Sequence, residues 1–143
     1  MKNTHFYAFT GVIKTKFGFE KYMSLIKNRN YRIALTRFRS SSIALEIERG
    51  RYTNPITPVE NRLCHVCNIV EDELHFLIKC SLFDEERTIL FSKISEILPN
   101  FISLADPNKF VFLLTNIEEK ILTWVGKFIY ESFNKRNEYY ASI

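Results

Sequence analysis

Long apolar runs are missing from this 143-residue sequence. The longest, such as residues 110–114, fall far short of the roughly 20 residues that cross a bilayer as a helix. Residues 1–20 mix polar and aromatic side chains and lack the apolar core of a secretory signal peptide. We therefore predict neither a membrane partner nor a signal peptide.

Cysteine is scarce as well, with three residues in the whole chain. A disulfide framework would leave one of three thiols unpaired, so the odd count favours a reducing intracellular compartment, the nucleus or the cytoplasm. Catalytic motifs are also missing, because the sequence has neither a phosphate-binding loop nor a Ser-His-Asp order. We expect a protein that is not an enzyme and that takes no small-molecule substrate.

The sequence does have enough apolar material for a core. Hydrophobic residues make up 46% of the chain and aromatic residues 15%, which is more than a disordered chain carries. A chain of 143 residues is long enough for one domain and too short for two ordinary ones. We predict a single domain over residues 1–143.

Charge is divided unevenly along the chain. Residues 1–63 hold 12 basic and 4 acidic residues, a net charge of +8, whereas residues 64–143 hold 8 basic and 12 acidic residues, a net charge of −4. One interpretation is that both halves are ordinary solvated helix surfaces. The other is a nucleic-acid-binding face in the basic half, with candidate contacts at Lys27, Arg29, Arg32, Arg37, Arg39, Arg49 and Arg51.

All three cysteines and one histidine form the pattern C-x2-C-x7-H-x4-C, with Cys64, Cys67, His75 and Cys80 as its members. Tetrahedral zinc takes four such ligands, and a CxxC turn can bring two thiolates to about 2.3 Å from the ion. Four protein ligands leave no open position, so the pattern predicts one structural Zn2+. The alternative is three buried thiols beside an unrelated histidine. We expect His65, inside the turn, to be a surface residue.

The loop between the ligands indicates that the zinc site has a structural role and is not itself a nucleic-acid-binding surface. Residues 68–74 include Glu71, Asp72 and Glu73 but no aromatic residue, whereas zinc knuckles that bind single strands stack bases on aromatic rings. We expect the acidic side chains to make this surface repel phosphate. Any nucleic acid should then meet the arginines that precede Cys64.

Hydrophobic periodicity predicts several helices. Residues 44–52 could be extended or helical, since periodicity does not decide over so few positions. Gly50, Pro55 and Pro58 mark residues 50–59 as an irregular arm. The predicted helices cover residues 19–26, 31–38, 72–79, 82–98, 107–114 and 117–139.

Two details qualify these helices. Ile33 points away from the core face of its helix, and Ser81 is predicted to cap the helix that follows it.

The predicted fold class is mostly α, a small helical domain with an irregular arm and one zinc-braced CxxC turn plus a short helix. Residues 1–59 would be the basic N-terminal part with the arm, residues 60–98 the zinc-binding segment and following helix, and residues 99–143 the C-terminal helices.

Four segments resemble a known family in their order and amino-acid sequence. They are LTRFR at 35–39, ERGRY at 48–52, ENRLCHVC at 60–67 and VEDELHFLIKC at 70–80. Together they resemble the C-terminal zinc-binding (Cys-Cys-His-Cys) region of non-LTR (LINE-type) retrotransposon reverse transcriptases. The resemblance covers about residues 19–95, with a looser match downstream. It implies zinc binding and a part in handling RNA or DNA, with the reverse transcriptase domain of a parent polyprotein as a second candidate partner.

The chain departs from a whole reverse transcriptase in its aspartates. It contains no Asp-Asp pair of the kind that holds polymerase metal ions, and Asp84 and Asp106 are scattered without histidine partners. The resemblance therefore implies a detached terminal fragment of an RNA-directed DNA polymerase, or a small gene derived from one. We predict a non-catalytic zinc-binding module that contacts RNA or DNA through its basic N-terminal half. The alternative is a structural or protein-protein interaction domain without nucleic-acid binding.

Overall fold

The computed structural model describes the backbone of residues 22–143 and the side chains of residues 24–143. This part of the chain contains no β-strand, only one isolated antiparallel bridge between Leu63 and Val70. The mostly α prediction is confirmed. Its α-helices are α1 (Tyr22–Leu25), α2 (Arg29–Arg39), α3 (Glu46–Arg49), α4 (Asp84–Ile97), α5 (Asp106–Thr115) and α6 (Glu119–Ser142).

Short helical turns connect these helices. A π-helix covers His75–Lys79, and 3-10 turns cover Val59–Asn61, Ser81–Phe83 and Phe101–Ser103. None of the helices in residues 22–143 is long and apolar enough to cross a membrane. The irregular arm predicted at residues 50–59 is confirmed, because no helix or strand forms there before the turn that begins at Val59.

Helix α6 is the centre of the described fold. It contacts α1, α2, α4 and α5, and its contact with α2 is the most extensive. The two helices approach closely where Gly126 faces Tyr31. A Cβ atom at position 126 would lie 2.8 Å from the Tyr31 carbonyl oxygen, which is closer than two such atoms pack. Glycine at position 126 therefore allows the two helices to approach this closely.

Aromatic side chains fill the core beside α6. The ring of Phe76 lies 5.7 Å from that of Phe38 and 4.8 Å from that of Phe83, centroid to centroid. Phe38 also approaches Phe110, at 6.4 Å. Because Phe76 belongs to the π-helix between two of the predicted metal ligands, this packing anchors the metal-binding segment in the core.

Ser81 does not cap the next helix, so that prediction is wrong. The chain first makes the 3-10 turn Ser81–Phe83, and α4 then begins at Asp84 without a side-chain cap. The Ser81 hydroxyl instead lies 3.4 Å from the Cys67 sulfur. The ambiguous residues 44–52 contain the single turn of α3, and residues 19–21 of the first predicted helix lie outside the described residues.

Candidate metal centre

The four predicted ligands meet at one point. The ligand atoms of Cys64, Cys67, His75 and Cys80 all lie within 4.8 Å of one another. The Cys80 Sγ atom is 3.8 Å from that of Cys64 and 3.9 Å from that of Cys67. Sulfur atoms bound at about 2.3 Å to one tetrahedral zinc are about 3.8 Å apart. The thiols are free rather than paired as disulfides, and the group is positioned to bind one metal ion.

His75 gives a second indication that does not depend on the cysteines. Its side chain is buried, and neither ring nitrogen has a hydrogen-bond partner among the described residues. Leaving such a group unsatisfied costs about 1–3 kcal/mol, which native structures avoid. A metal ion among the sulfur atoms would accept one of these nitrogens as a ligand.

A tight backbone turn presents Cys64 and Cys67. The Cys64 N–H donates to the Ile69 carbonyl at 2.7 Å, and the Asn68 N–H donates to the Cys64 carbonyl at 2.9 Å. Asn68 has a φ of 58°, a left-handed conformation that asparagine tolerates better than most residues. The Val66 N–H lies 3.4 Å from the Cys64 sulfur, where it stabilises a thiolate.

The short distance between the sulfurs shifts the pKa values of Cys64 and Cys80 in opposite directions. The hydrogen bond from Cys80 lowers the pKa of Cys64 to about 2, and the neighbouring His75 ring and backbone N–H groups act in the same direction against burial. That same bond, together with burial, raises the pKa of Cys80. A divalent cation bound among the sulfurs would hold all three thiols as thiolates.

The second ligand-bearing segment is fixed at both ends. Asp72 Oδ1 accepts a hydrogen bond from the His75 N–H at 2.8 Å and caps the start of the turn. At the other end, the buried Arg87 guanidinium donates to the carbonyls of Phe76, Leu77 and Cys80 at 2.8–3.1 Å. Burial lowers the pKa of Arg87, while Asp84 opposes this effect. These contacts orient His75 and Cys80 toward the other two ligands.

Residues 62–71 form a hairpin that contains the Leu63–Val70 bridge, and a buried ion pair fastens this hairpin to helix α6. Arg136 Nε lies 2.9 Å from Glu71 Oε2, and Arg136 Nη2 lies 2.6 Å from Glu71 Oε1. Both residues are 2% exposed. The Tyr140 hydroxyl donates to Glu71 Oε2 at 2.7 Å, and its ring lies under the Arg136 guanidinium at 4.1 Å. Burial and the bond to Glu71 raise the pKa of Tyr140.

The expected acidic surface is not present, which corrects the repulsion argument drawn from sequence. Glu71, Asp72 and Glu73 are 2%, 8% and 4% exposed. Glu71 is paired with Arg136, Asp72 accepts a hydrogen bond from the His75 N–H, and burial raises the pKa of Glu73 to about 7. The three carboxyl groups are buried inside the protein, so they do not form a surface that repels phosphate.

His65 is a surface residue, as predicted, and is not among the four ligands. Its side chain is 42% exposed, and its ring stacks on Tyr140 with centroids 4.0 Å apart and an interplanar angle of 11°. The His65 N–H also donates to the Tyr140 hydroxyl at 3.1 Å. Tyr140 therefore covers the CxxC turn from the end of α6.

Arg62 holds the irregular arm against this site. It is 6% exposed and donates from Nε to the Thr57 carbonyl and from Nη1 to the Ile47 carbonyl, both at 2.9 Å. A Cβ atom at Gly50 would lie 2.5 Å from the Arg62 side chain, so glycine makes room for it. The arm is ordered by these polar contacts because it has little apolar surface to bury.

Five residues that support the site were not predicted from the sequence: Arg62, Glu71, Arg87, Arg136 and Tyr140. Two of them did carry a signal in the sequence. Arg87 lies on the apolar face of α4, and Arg136 lies on the apolar face of α6. A cation at such a position indicates a buried partner, since an unpaired buried charge is too costly. Nothing in the sequence names those partners.

Four of the candidate nucleic-acid contacts already have partners within the protein. Arg32 Nη1 donates to the Ile26 carbonyl at 3.0 Å, and Arg39 donates to the Leu114 carbonyl. Arg49 pairs with Glu46 at 3.5 Å, and Arg51 pairs with Glu48 at 3.1 Å. Their guanidinium groups therefore contribute to the fold as well as to the charge of the surface.

Lys27, Arg29 and Arg37 are exposed. Lys27 precedes α2, Arg29 is its first residue, and Arg37 lies near its end. The seven basic residues thus do not form one continuous cluster of unpaired cations. Their role in nucleic-acid binding stays a prediction.

Comparisons of the chain with protein-family models, with curated proteins and with solved structures give no match. The metal centre is therefore assigned from its own geometry and donor atoms. The likeness to the zinc-binding region of retrotransposon reverse transcriptases rests on the four sequence segments alone.

Proposed function

We propose that this chain is a non-catalytic module in which one structural Zn2+ is bound by Cys64, Cys67, His75 and Cys80. The observation that carries the proposal is the convergence of these four ligand atoms within 4.8 Å around a histidine that has no other partner. Three sulfurs and one imidazole are a donor set that favours zinc. With four protein ligands, the ion has no open position for a substrate.

Metal analysis of the purified protein tests this proposal. Native mass spectrometry should find one zinc per chain, and Cys80→Ser should lose it. His65→Ala is the matched control, because His65 lies in the same turn outside the cluster, and this variant should keep its zinc. A wild-type protein that is folded, monodisperse and free of metal in zinc-supplemented buffer would contradict the zinc assignment.

We further propose that the module contacts RNA or DNA through its basic N-terminal half and derives from a reverse transcriptase of the non-LTR type. The net charge of +8 in residues 1–63 supports the contact, as does α2, which contains four arginines and no acidic residue. The four sequence segments named above support the origin.

A salt titration tests the nucleic-acid proposal. Fluorescence anisotropy with hairpin RNA, duplex DNA and single strands should show affinity falling steeply as salt rises, because phosphate contacts release counterions. Absence of binding to all three at low salt would contradict it.

That result would favour a protein-interaction domain, for which the arm offers one observation. Tyr52 and Ile56 are 76% and 65% exposed on the arm, although their side chains are large and apolar. Exposed apolar side chains close together in a chain are typical of interaction surfaces. Replacing both by serine should then reduce partner binding without loss of zinc.

A further inference from the structure

A groove of about 450 Å³ runs between helices α2 and α6. This volume lies within the roughly 300–1,000 Å³ of sites that hold small ligands. The groove is open to solvent and is separate from the four metal ligands, none of which lines it. The residues that matter for its chemistry are Ile33 and Arg37 on α2, and Tyr130, Phe133, Asn134 and Asn137 on α6.

The groove explains why Ile33 lies off the core face of α2. Ile33 is half-buried and lines the groove beside the buried Ile129. An apolar side chain at this position gives the groove an apolar floor. A solvated helix surface would not need one.

Two aromatic residues add flat surface to that floor. Tyr130 and Phe133 are half-buried and both line the groove, one helical turn apart on α6. The Tyr130 ring packs against Tyr31 at 5.9 Å on one side, which supports it from within the protein. Aromatic rings in partly open grooves are the surfaces on which single-stranded bases stack.

The rim of the groove carries amides and one cation. Asn30 on α2 and Asn134 and Asn137 on α6 are exposed at the rim, and each amide has both hydrogen-bond donors and an acceptor. Asn137 accepts from Arg136 Nη1 at 3.2 Å through Oδ1, which leaves its NH2 group to donate outward. Amides of this kind match the donor and acceptor edges of bases.

Charge favours a nucleotide over an apolar peptide. Arg37 is the cation among the residues that line the groove, and no acidic residue of the described chain lines it. A peptide helix would need an uninterrupted apolar stripe, but asparagine side chains lie along both edges of this groove. A duplex hides its base faces, so it could not use the aromatic floor.

We propose that this groove binds one unpaired nucleotide of a single-stranded nucleic acid. The base lies on Tyr130 and Phe133, the amides of Asn134 and Asn137 contact its edge, and Arg37 contacts a phosphate. This proposal deepens the proposed nucleic-acid contact and rests on it. It also narrows the expected phosphate contact from the seven candidate basic residues to Arg37.

Binding measurements on the full zinc-loaded chain test the groove. The probes are a fluorescein-labelled ten-nucleotide strand and a duplex of the same length. Tyr130→Leu should weaken binding of the strand about tenfold and leave binding of the duplex unchanged, because only the strand offers a free base face. Arg37→Gln should weaken strand binding and reduce the salt slope by about 1.

Lys120→Gln is the matched control for Arg37→Gln. It removes one exposed positive charge outside the groove, and its affinity for the strand should stay within about twofold of wild type. Asn134→Ala provides a variant at an exposed position in case Tyr130→Leu impairs folding. Zinc content and circular dichroism of every variant confirm that the fold is kept.

A direct readout comes from the side-chain amide signals of 15N-labelled protein. Added uridine or adenosine monophosphate should shift the signals of Asn134 and Asn137 and leave in place those of Asn100 and Asn108, two exposed residues that do not line the groove. If strands bind but the groove variants and amide signals do not change, the groove is excluded and the broader nucleic-acid proposal stands. If no nucleic acid binds at low salt, both proposals are overturned.

Discussion

The metal-binding segment, residues 62–80, and the α2–α6 helix pair are both well buried, but different forces hold them. Phe76, Leu77 and Ile78 of the π-helix pack in the core, but five other buried side chains of the segment are polar or charged: Arg62, Glu71, Asp72, Glu73 and His75. Their partners are carbonyls, carboxylates and, in our proposal, a zinc ion. Outside the π-helix, this segment gains less from the hydrophobic effect than the helix pair does.

The helix pair is held by apolar packing. Leu35 and Phe38 on α2 and Val125 and Ile129 on α6 are at most 1% exposed. Burial of each such side chain contributes about 1.5–3 kcal/mol. Losing one of them weakens the pair but leaves the remaining contacts in place.

This difference between polar and apolar contacts predicts which part of the protein is more easily destabilised by substitution. A buried polar network is stable only when every member has its partner, because one removal leaves a buried charge or dipole unsatisfied. Apolar packing yields more gradually. Changes in the metal-binding segment should therefore cost more than changes of similar size at the helix pair.

Removing the metal should have the largest effect. A structural zinc contributes on the order of 10–16 kcal/mol of apparent binding energy, which exceeds what this segment gains from packing. We expect a strong chelator to unfold residues 62–80 first, seen as fast amide hydrogen exchange there while α6 stays protected for longer. Unchanged exchange, circular dichroism and proteolysis in zinc-free protein would contradict this prediction.

Arg136→Met should come next. It leaves the Glu71 carboxylate buried without its bidentate partner, and such a change costs about 3–5 kcal/mol. Urea unfolding of the zinc-loaded protein measures the loss. Adding Glu71→Gln to Arg136→Met should recover part of it, because the stranded charge is removed.

Lys135→Met is the control for Arg136→Met. Its pair with Glu86, at 2.9 Å, is partly exposed, so we expect a loss of only about 0–1 kcal/mol. Equal losses for the two neighbouring positions would show that Glu71 and Arg136 do not form a critical pair.

Tyr140→Phe should have a smaller effect. It removes the hydroxyl that donates to Glu71 and keeps the ring that stacks on His65, at a cost of about 1.5 kcal/mol. The adjacent Tyr139→Phe, at an exposed position, should cost almost nothing. The same urea titration decides, and indistinguishable midpoints for the two variants would contradict the role of this hydroxyl.

Gly126→Ala should have the smallest effect, and it tests the helix pair. The new methyl group would press on the Tyr31 backbone, which costs about 2 kcal/mol, while alanine gains about 1 kcal/mol over glycine in a helix. We expect a net loss of about 1 kcal/mol in thermal unfolding. Lys127→Ala, at an exposed neighbouring position, should not destabilise the protein. A gain in stability for Gly126→Ala would mean that the helices separate easily.

Much of the fold and the metal ligands could be predicted because both depend on local patterns. The helix bounds follow the spacing of apolar residues, and the observed α2 and α6 differ from the predicted helices only at their ends. The ligand set follows from three cysteines and one histidine within 17 positions, from Cys64 to Cys80. Ser81 failed as a cap because a tighter turn competed for the same residues.

The helical fold class and the four ligands follow from the sequence alone, since periodicity and ligand spacing act over a few residues. The partners of the buried charges follow from the tertiary structure. Glu71 and Arg136 are separated by 65 positions in the chain, and no local pattern joins them. Their meeting depends on how α6 docks on the hairpin. The same docking turned an apparently acidic loop into a buried ion-pair network and opened the groove beside Arg37.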